Sequence, residues 1–266
     1  MTKPNLRFWR RFVQGMALVA AGVAAVRGAL SLSGQPSLES YCPFGAVESA
    51  WQLLAEGRFL AGIGWGNVLA LSVAVAIALL AGRAFCGWLC PLGALQDALA
   101  AISRRLLGTR REMPISLPRK VDRLLRWAKY LVLGWVLWLS ISAVVPPLNA
   151  YCPLRTLFGL QAGSLLPIGI GLTFVTASMS IERFWCRYLC PLGAVLAPFN
   201  RISWLRIRVD PLSCRLCGRC ASDCPAGIDP ARDGTMHPEC LRCLDCIAAC
   251  RRGAVNVVVG GRKPGQ

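Results

Sequence analysis

One sequence unit occurs twice within residues 1–200, and this duplication is the strongest constraint on the fold. A nine-residue pattern, C-x3-C-P-L-G-A, runs from Cys86 to Ala94 and again from Cys186 to Ala194. A shorter Tyr-Cys-Pro pattern precedes each copy and supplies Cys42 and Cys152. Both copies run in the same order, so we expect parallel repeats related by a pseudo-twofold axis. The four cysteines of the two C-x3-C patterns should then meet at one face of the domain, with Cys42 and Cys152 at the opposite face.

Long uncharged segments between these motifs predict four transmembrane helices. Hydrophobic residues make up 55% of the chain, and the uncharged segment 59–82 is about 36 Å long as a helix, enough to cross a bilayer. The predicted spans cover roughly residues 12–33, 61–82, 127–147 and 163–181. After Pro91, apolar residues at steps of three and four predict an amphipathic helix at the membrane interface. The expected fold of residues 1–200 is an all-α membrane domain.

The charge distribution orients these predicted spans. The chain carries 30 Lys and Arg against 13 Asp and Glu, a net charge of +17. In the predicted membrane part, most cations lie before the first span or between the second and third, which predicts that both termini face the cytoplasm. The basic excess therefore indicates topology and contact with membrane lipid. No nucleic-acid-binding motif accompanies it, so nucleic acid is excluded as a partner.

Cysteine is the residue type expected to carry the chemistry. Fourteen cysteines stand against one histidine, which excludes a haem held by paired histidines and most histidine-based catalysis. A cysteine directly before a helix-starting proline lies at a helix N-terminus, where the thiolate is favoured. Four duplicated cysteines are therefore predicted to be cofactor ligands or a redox pair: Cys86, Cys90, Cys186 and Cys190. Cys42 and Cys152 are predicted either to form a disulfide or to act as further ligands.

The remaining eight cysteines lie in residues 201–266 and predict a small α+β domain with two iron–sulfur clusters. They form two runs of C-x2-C-x2-C-x3-C, the spacing of bacterial two-cluster ferredoxins, in which the fourth cysteine of each run reaches the neighbouring cluster. The predicted ligands of the first 4Fe–4S cluster are Cys214, Cys217, Cys220 and Cys250. Those of the second are Cys240, Cys243, Cys246 and Cys224. Segments 207–209 and 254–259 are predicted to be short strands. Zinc and disulfides fit this doubled order poorly.

Four spans, two C-x3-C-P motifs and a two-cluster ferredoxin tail, in this order, resemble the NapH family of ferredoxin-type proteins. The first part is also similar to the corresponding region of NosR-type proteins. The resemblance implies a quinol dehydrogenase component in the bacterial cytoplasmic membrane, with its ferredoxin domain in the cytoplasm. It would oxidise menaquinol or ubiquinol from the quinone pool. The electrons would pass to an iron–sulfur or cytochrome subunit of a nitrate-reductase-type respiratory partner.

Two other functions remain open at this stage. The chain could be a redox assembly or maintenance factor for a metalloenzyme, or a passive anchor for a partner oxidoreductase. Whether the duplicated cysteines hold a third iron–sulfur centre or form redox disulfides is also open. The sequence gives little indication of which residues would accept protons from a quinol. Glu48 and Glu182 are the candidates, and Glu182 is expected to be solvated.

Overall fold

A computed structural model of the protein describes most of the chain. The described residues are 3–29, 43–56, 65–108, 117–142, 153, 157, 165–233 and 237–260. Cys42 and Cys152, and both interpretations of them, lie outside this part of the chain.

The two copies of the duplicated unit fold into matching series of helices. The first copy forms Trp65–Ala81, Ala84–Trp88 and Pro91–Leu106, and the second forms Leu165–Ser180, Phe184–Tyr188 and Pro191–Leu196. Cys90 and Cys190 occupy the same position, directly before the third helix, with φ/ψ of −69°/117° and −71°/113°. Each is followed by a proline, whose fixed φ suits the first position of a helix. The helix predicted after Pro91 is therefore confirmed.

The prediction of four transmembrane spans is wrong. Among the residues that the structure describes, no helix combines the length and the apolar character needed to cross a membrane. The helices in the last three predicted spans have 17, 15 and 16 residues and run over Trp65–Ala81, Ala128–Ser142 and Leu165–Ser180. A span needs about 20 residues. The helix in the first span, Lys3–Ala29, has 27 residues but includes five cations. The fold is helical, with a small sheet near its C-terminal end.

The C-terminal segment contains the two strands that the sequence predicts. Leu205–Val209 pairs with Val255–Val259 in an antiparallel two-stranded sheet, with Ile207 opposite Val257. Two short helices, Arg219–Ser222 and Asp245–Ala249, lie between these strands in the chain and carry cysteines of both runs. Ile207 and Val255 are buried and pack with Cys246 in a small hydrophobic core. The sheet thereby supports the cysteine loops from one side.

The C-terminal segment packs directly on the duplicated unit. The side-chain amide of buried Asn200 donates to the carbonyls of Pro238 and Cys240, at 2.8 Å each. The indole N–H of Trp88 donates to the carbonyl of Arg242 at 3.1 Å. A Cβ placed on Gly87 would lie 2.5 Å from the carbonyl oxygen of Leu241, so only a glycine permits this close approach. The cysteine-rich segment therefore lies against the first and second copies.

The other helices of the described residues are Lys3–Ala29, Pro43–Glu56, Arg119–Leu125, Ala128–Ser142 and Phe199–Ile202. The first helix, Lys3–Ala29, contacts both the Pro91–Leu106 helix and the short Asp245–Ala249 helix. It joins the duplicated unit to the cysteine-rich segment through Arg10. The guanidinium of this residue pairs with Asp97 at 2.5 Å and also with Asp245.

Candidate functional site

The four duplicated cysteines meet between the two copies. Cys86 and Cys186 are each only 5% exposed. Burial raises the pKa of the Cys190 thiol, and the neighbouring thiols of Cys186, Cys86 and Cys90 raise it further. The sulfurs are thus close enough to affect one another's ionisation. The structure brings together the set that the sequence singles out, and four sulfurs is the number that one 4Fe–4S cluster binds.

Two buried arginines cross between the copies and hold this set in place. The guanidinium of Arg183 donates to the carbonyl of Cys86 at 2.7 Å, and that of Arg83 donates to the carbonyl of Cys186 at 3.4 Å. Each arginine is 1% exposed. The contacts are reciprocal because the two residues occupy the same position in their copies. They bring permanent positive charge next to a group of thiols.

The two glycines of the C-P-L-G-A pattern allow the helix after each Cys-Pro to approach the first cysteine. A Cβ on Gly93 would lie 2.8 Å from the carbonyl oxygen of Cys86. A Cβ on Gly193 would lie 3.3 Å from that of Cys186 and 2.8 Å from the guanidinium of Arg83. Any larger residue would have to move backbone or a buried cation. Both copies therefore have a glycine at this position because the helix packs closely against the first cysteine.

Gln96 makes the site asymmetric. Its side-chain N–H donates to the sulfur of Cys186 at 3.1 Å, and its side-chain oxygen accepts from the backbone N–H of Trp185 at 3.0 Å. Gln96 is fully buried. The sequence patterns single out neither Gln96 nor the two arginines, Arg83 and Arg183. An arginine does stand three residues before the first cysteine in both copies, and this repetition is the sequence feature that could have indicated a shared role for the two residues.

The four cysteines assigned to the second ferredoxin cluster line one small cavity. Cys224, Cys240, Cys243 and Cys246 share its wall with apolar residues such as Leu241 and Ile228. Burial raises the pKa of Cys224 to about 11, and the thiol of Cys240 contributes in the same direction. Four convergent sulfurs in an apolar lining fit a 4Fe–4S cluster. When bound, such a cluster takes up and releases one electron at a time.

The cysteines assigned to the first ferredoxin cluster lie nearer the surface. Cys217 is exposed, whereas Cys214, Cys220 and Cys250 are half-buried. Cys220 and Cys250 pack against the small core that contains Cys246. Within the described residues, no three His, Cys, Asp or Glu side chains converge closely enough to hold a single metal ion.

The three cysteine sets adjoin in series, with the second ferredoxin set in the middle. The buried residues Cys86 and Cys243 belong to one hydrophobic core, and Cys190, Cys224 and Cys240 pack against it. This core joins the duplicated cysteines to the second ferredoxin set. The small core around Cys246 then joins the second set to the first. The arrangement is a series of three sulfur sites running from the protein interior to its surface.

Comparison with known proteins gives matches over the same regions. Residues 63–110 and 163–210, which contain the duplicated cysteines, match the Fer4_5 family, described as a 4Fe-4S binding domain. The chain is 30% identical to the methylamine utilization ferredoxin-type protein MauN of Methylorubrum extorquens, over 86% of this chain and 79% of MauN.

Other relatives are matched over a smaller part of their length. The putative electron transport protein YccM of Escherichia coli is 29% identical over 80% of this chain and 61% of YccM. The ferredoxin-type protein NapH of Haemophilus influenzae is 30% identical over 65% of this chain and 61% of NapH. The chain thus spans about three fifths of both. No solved structure matches it.

Proposed function

The chain belongs to the NapH/NosR-like family of ferredoxin-type proteins and is an iron–sulfur electron-transfer protein, and on this premise we propose that it oxidises a quinol and relays the electrons to a redox partner. Menaquinol and ubiquinol are the candidate donors. An iron–sulfur or cytochrome subunit of a respiratory system is the candidate acceptor.

The adjacency of the three cysteine sets is the observation that carries this proposal. Cys86 and Cys243 share one core, and Cys246 shares another with Cys220 and Cys250. Electrons that enter at the duplicated cysteines therefore have a continuous path of sulfur sites toward exposed Cys217. A passive anchor would need no such series. An assembly factor would need an exposed redox site but no buried one.

In this proposal the duplicated cysteines hold a third 4Fe–4S cluster. The segments that match a 4Fe-4S binding domain contain all four of them. Each would supply one thiolate, and Arg83 and Arg183 lie beside them as fully buried cations. These cations would offset the negative charge of a cluster with four thiolate ligands, which favours reduction at a higher potential.

The surface around Cys217 suits an acceptor protein. Leu212 and Leu216 are 97% and 63% exposed, and both lie in the loop that carries Cys214 and Cys217. Exposed leucines beside an exposed cluster ligand form an apolar contact area for a partner. Electron transfer between proteins requires their cofactors to come close. Docking at this loop would bring an acceptor next to the first ferredoxin cluster.

The test is an anaerobic reaction of the oxidised, purified protein with menaquinol and, separately, ubiquinol, followed through its visible iron–sulfur absorbance. The comparison variant has Cys86, Cys90, Cys186 and Cys190 changed to Ser. We expect rapid bleaching in the wild type, none in the variant, and about one third less iron per chain in the variant. Dithionite should still bleach the ferredoxin clusters of both proteins. Bleaching by dithionite but not by either quinol in the wild type would favour an assembly factor or an anchor.

A further inference from the structure

A large polar cavity lies beside the cysteine sites. Its volume is about 870 Å³ and it is open to solvent. The walls come from the first helix, the Pro91–Leu106 helix, residues 222–225 at the end of a short helix, and Asp245 at the start of another. Ligand pockets for small molecules commonly have volumes of about 300–1,000 Å³. Leu18, Ala98 and Ile102 supply an apolar wall, and charged side chains face it. The cavity can therefore accommodate a flat ring with polar substituents.

The cavity adjoins two of the three proposed iron–sulfur sites. Ala94, in its wall, donates its backbone N–H to the carbonyl of Cys90 at 3.0 Å. Pro225 and Asp245, also in the wall, are the chain neighbours of Cys224 and Cys246. An electron donor bound in the cavity would be separated by a single residue from the proposed ligands of the duplicated site and of the second ferredoxin site. Its electrons would have a short route into either.

Glu182 is the carboxylate in this wall that is suited to accept a proton. Its side chain is 22% exposed, and its oxygen accepts a hydrogen bond from Arg104. Burial raises the pKa of Glu182 above its ordinary value, although Arg104 acts to lower it. A carboxylate with a raised pKa is a stronger base. The expectation that Glu182 is a solvated residue is thus at odds with its position in the cavity wall.

Asp97 lies in the same wall but has a different role. Arg183 binds both of its oxygens at 2.7 Å, and Arg10 and Gln14 also donate to it. Burial acts to raise the pKa of Asp97, but Arg183 and then Arg10 lower it to about 2. Asp97 therefore stays ionised and its hydrogen-bonding capacity is filled. Asp223 and Asp245, the other two carboxylates of the wall, pair with Arg7 and Arg10. Glu182 has the most exposed side chain of the four, 22% against 14–19%, and is therefore the best placed to take a proton from a ligand.

We propose that this cavity binds the quinol headgroup and that Glu182 accepts its hydroxyl protons. The assignment rests on the proposed function. Oxidation of a quinol to its quinone breaks two O–H bonds and releases two electrons and two protons. The clusters that the cysteine sets would hold would each accept one of these electrons. The Glu182 carboxylate takes the first proton, passes it to water at the open side of the cavity and then takes the second.

The test uses three variants of the full chain loaded with its clusters. Glu182→Gln keeps size and hydrogen bonding but cannot accept a proton, and it should lower kcat for quinol oxidation about 100-fold with KM nearly unchanged. Glu182→Asp restores a carboxylate and should recover most of this loss. Ala98→Phe fills the apolar wall and should raise KM about 10-fold with little change in kcat. Full bleaching by dithionite checks that each variant retains its clusters.

A binding measurement gives a second readout that does not depend on turnover. Equilibrium dialysis with oxidised 2-methyl-1,4-naphthoquinone should show wild-type affinity for Glu182→Gln and weaker binding for Ala98→Phe. If quinol bleaches Glu182→Gln at the wild-type rate, or Ala98→Phe binds the quinone normally, the assignment of this cavity is overturned while quinol oxidation stands. If quinol fails to bleach the wild type, both the proposed function and this assignment are overturned.

Discussion

The two copies of the duplicated unit differ most clearly in what their buried arginines face. Arg183, in the second copy, pairs with Asp97 of the first copy through two bonds of 2.7 Å. Arg83, in the first copy, pairs at 2.8 Å with Glu239 of the cysteine-rich segment, which also binds Lys129. Both arginines cross between the copies, but the carboxylate partner lies in the other copy for Arg183 and in the cysteine-rich segment for Arg83.

The difference reflects where the cysteine-rich segment packs. In the second copy, Leu196 and Ala197 stand where the first copy has Gln96 and Asp97. The helix there ends at Leu196, shortly before Pro198, whereas the equivalent helix of the first copy continues to Leu106. The chain after this shorter helix brings Asn200 to a position where its side-chain amide donates to backbone carbonyls of the cysteine-rich segment. Duplication thus preserved the cysteine positions while the two peripheries diverged.

Replacing the buried arginines should have the largest effect. We expect Arg183→Met to lower the free energy of unfolding by about 3–5 kcal/mol, because it removes a fully buried cation and both of its bonds to half-buried Asp97. Arg83→Met should cost less, about 3 kcal/mol, since Arg83 makes only one bond to Glu239 and its bonds to carbonyls are longer. Urea unfolding of the anaerobically purified proteins measures both.

Arg105→Met is the matched control for these two variants. Arg105 is exposed, so the same substitution there should change the free energy of unfolding by less than about 0.5 kcal/mol. A loss below about 1 kcal/mol for Arg183→Met would mean that the crossing contacts do not stabilise the junction between the copies.

Gly87 and Arg187 provide a second comparison, because they occupy the same position in the two copies. Gly87 lies against the backbone of Leu241, whereas Arg187 pairs with Asp122. We expect Gly87→Ala to cost about 1–3 kcal/mol, since its Cβ would meet a carbonyl oxygen at 2.5 Å and force the ferredoxin segment away. Electron transfer from the duplicated cysteines to the ferredoxin clusters should also slow, as measured by stopped-flow bleaching with quinol.

Gly134→Ala is the control for that substitution. Gly134 lies inside the Ala128–Ser142 helix, and a Cβ there meets nothing within 4 Å. Alanine should stabilise this helix by up to about 1 kcal/mol. Equal effects of the two substitutions would argue against close packing at Gly87.

Local patterns in the sequence predicted the repeated elements but not their partners. The two strands and the helix after Pro91 follow from short-range periodicity and from proline geometry, and both are observed. The four spans failed because an uncharged segment does not fix the length of the helix inside it: the later three helices have 17, 15 and 16 residues, whereas a span needs about 20. The helix at Trp65–Ala81 ends just before Gly82, which has a φ of +62°. Such a left-handed glycine is a common helix terminator.

The contacts of the candidate site could be predicted only in part, because many of them join residues that are far apart in the chain. The C-x3-C-P spacing predicted that four cysteines would act together, and the structure brings them together. In the sequence, however, Arg83 is only one of the cations between the second and third predicted spans. Its pairing with Glu239 joins residues 156 positions apart in the chain. No local pattern encodes such a pair, because it depends on how the ferredoxin segment docks.

Gln96→Leu should have the smallest effect and is the most direct test of asymmetry within the cysteine site. Gln96 donates to the sulfur of Cys186, and the equivalent position in the second copy, Leu196, has no side-chain donor to offer Cys86. Removing this donor should cost about 1 kcal/mol of stability, because the backbone N–H of Trp185 also loses its acceptor.

Gln96→Leu should also lower the reduction potential of a cluster held by these cysteines, since hydrogen bonds to ligand sulfurs stabilise the reduced state. Anaerobic redox titration monitored by electron paramagnetic resonance would detect the shift in one centre only. The ferredoxin clusters serve as internal controls, and a shift of all centres together would mean that Gln96 acts on the fold as a whole and not on Cys186.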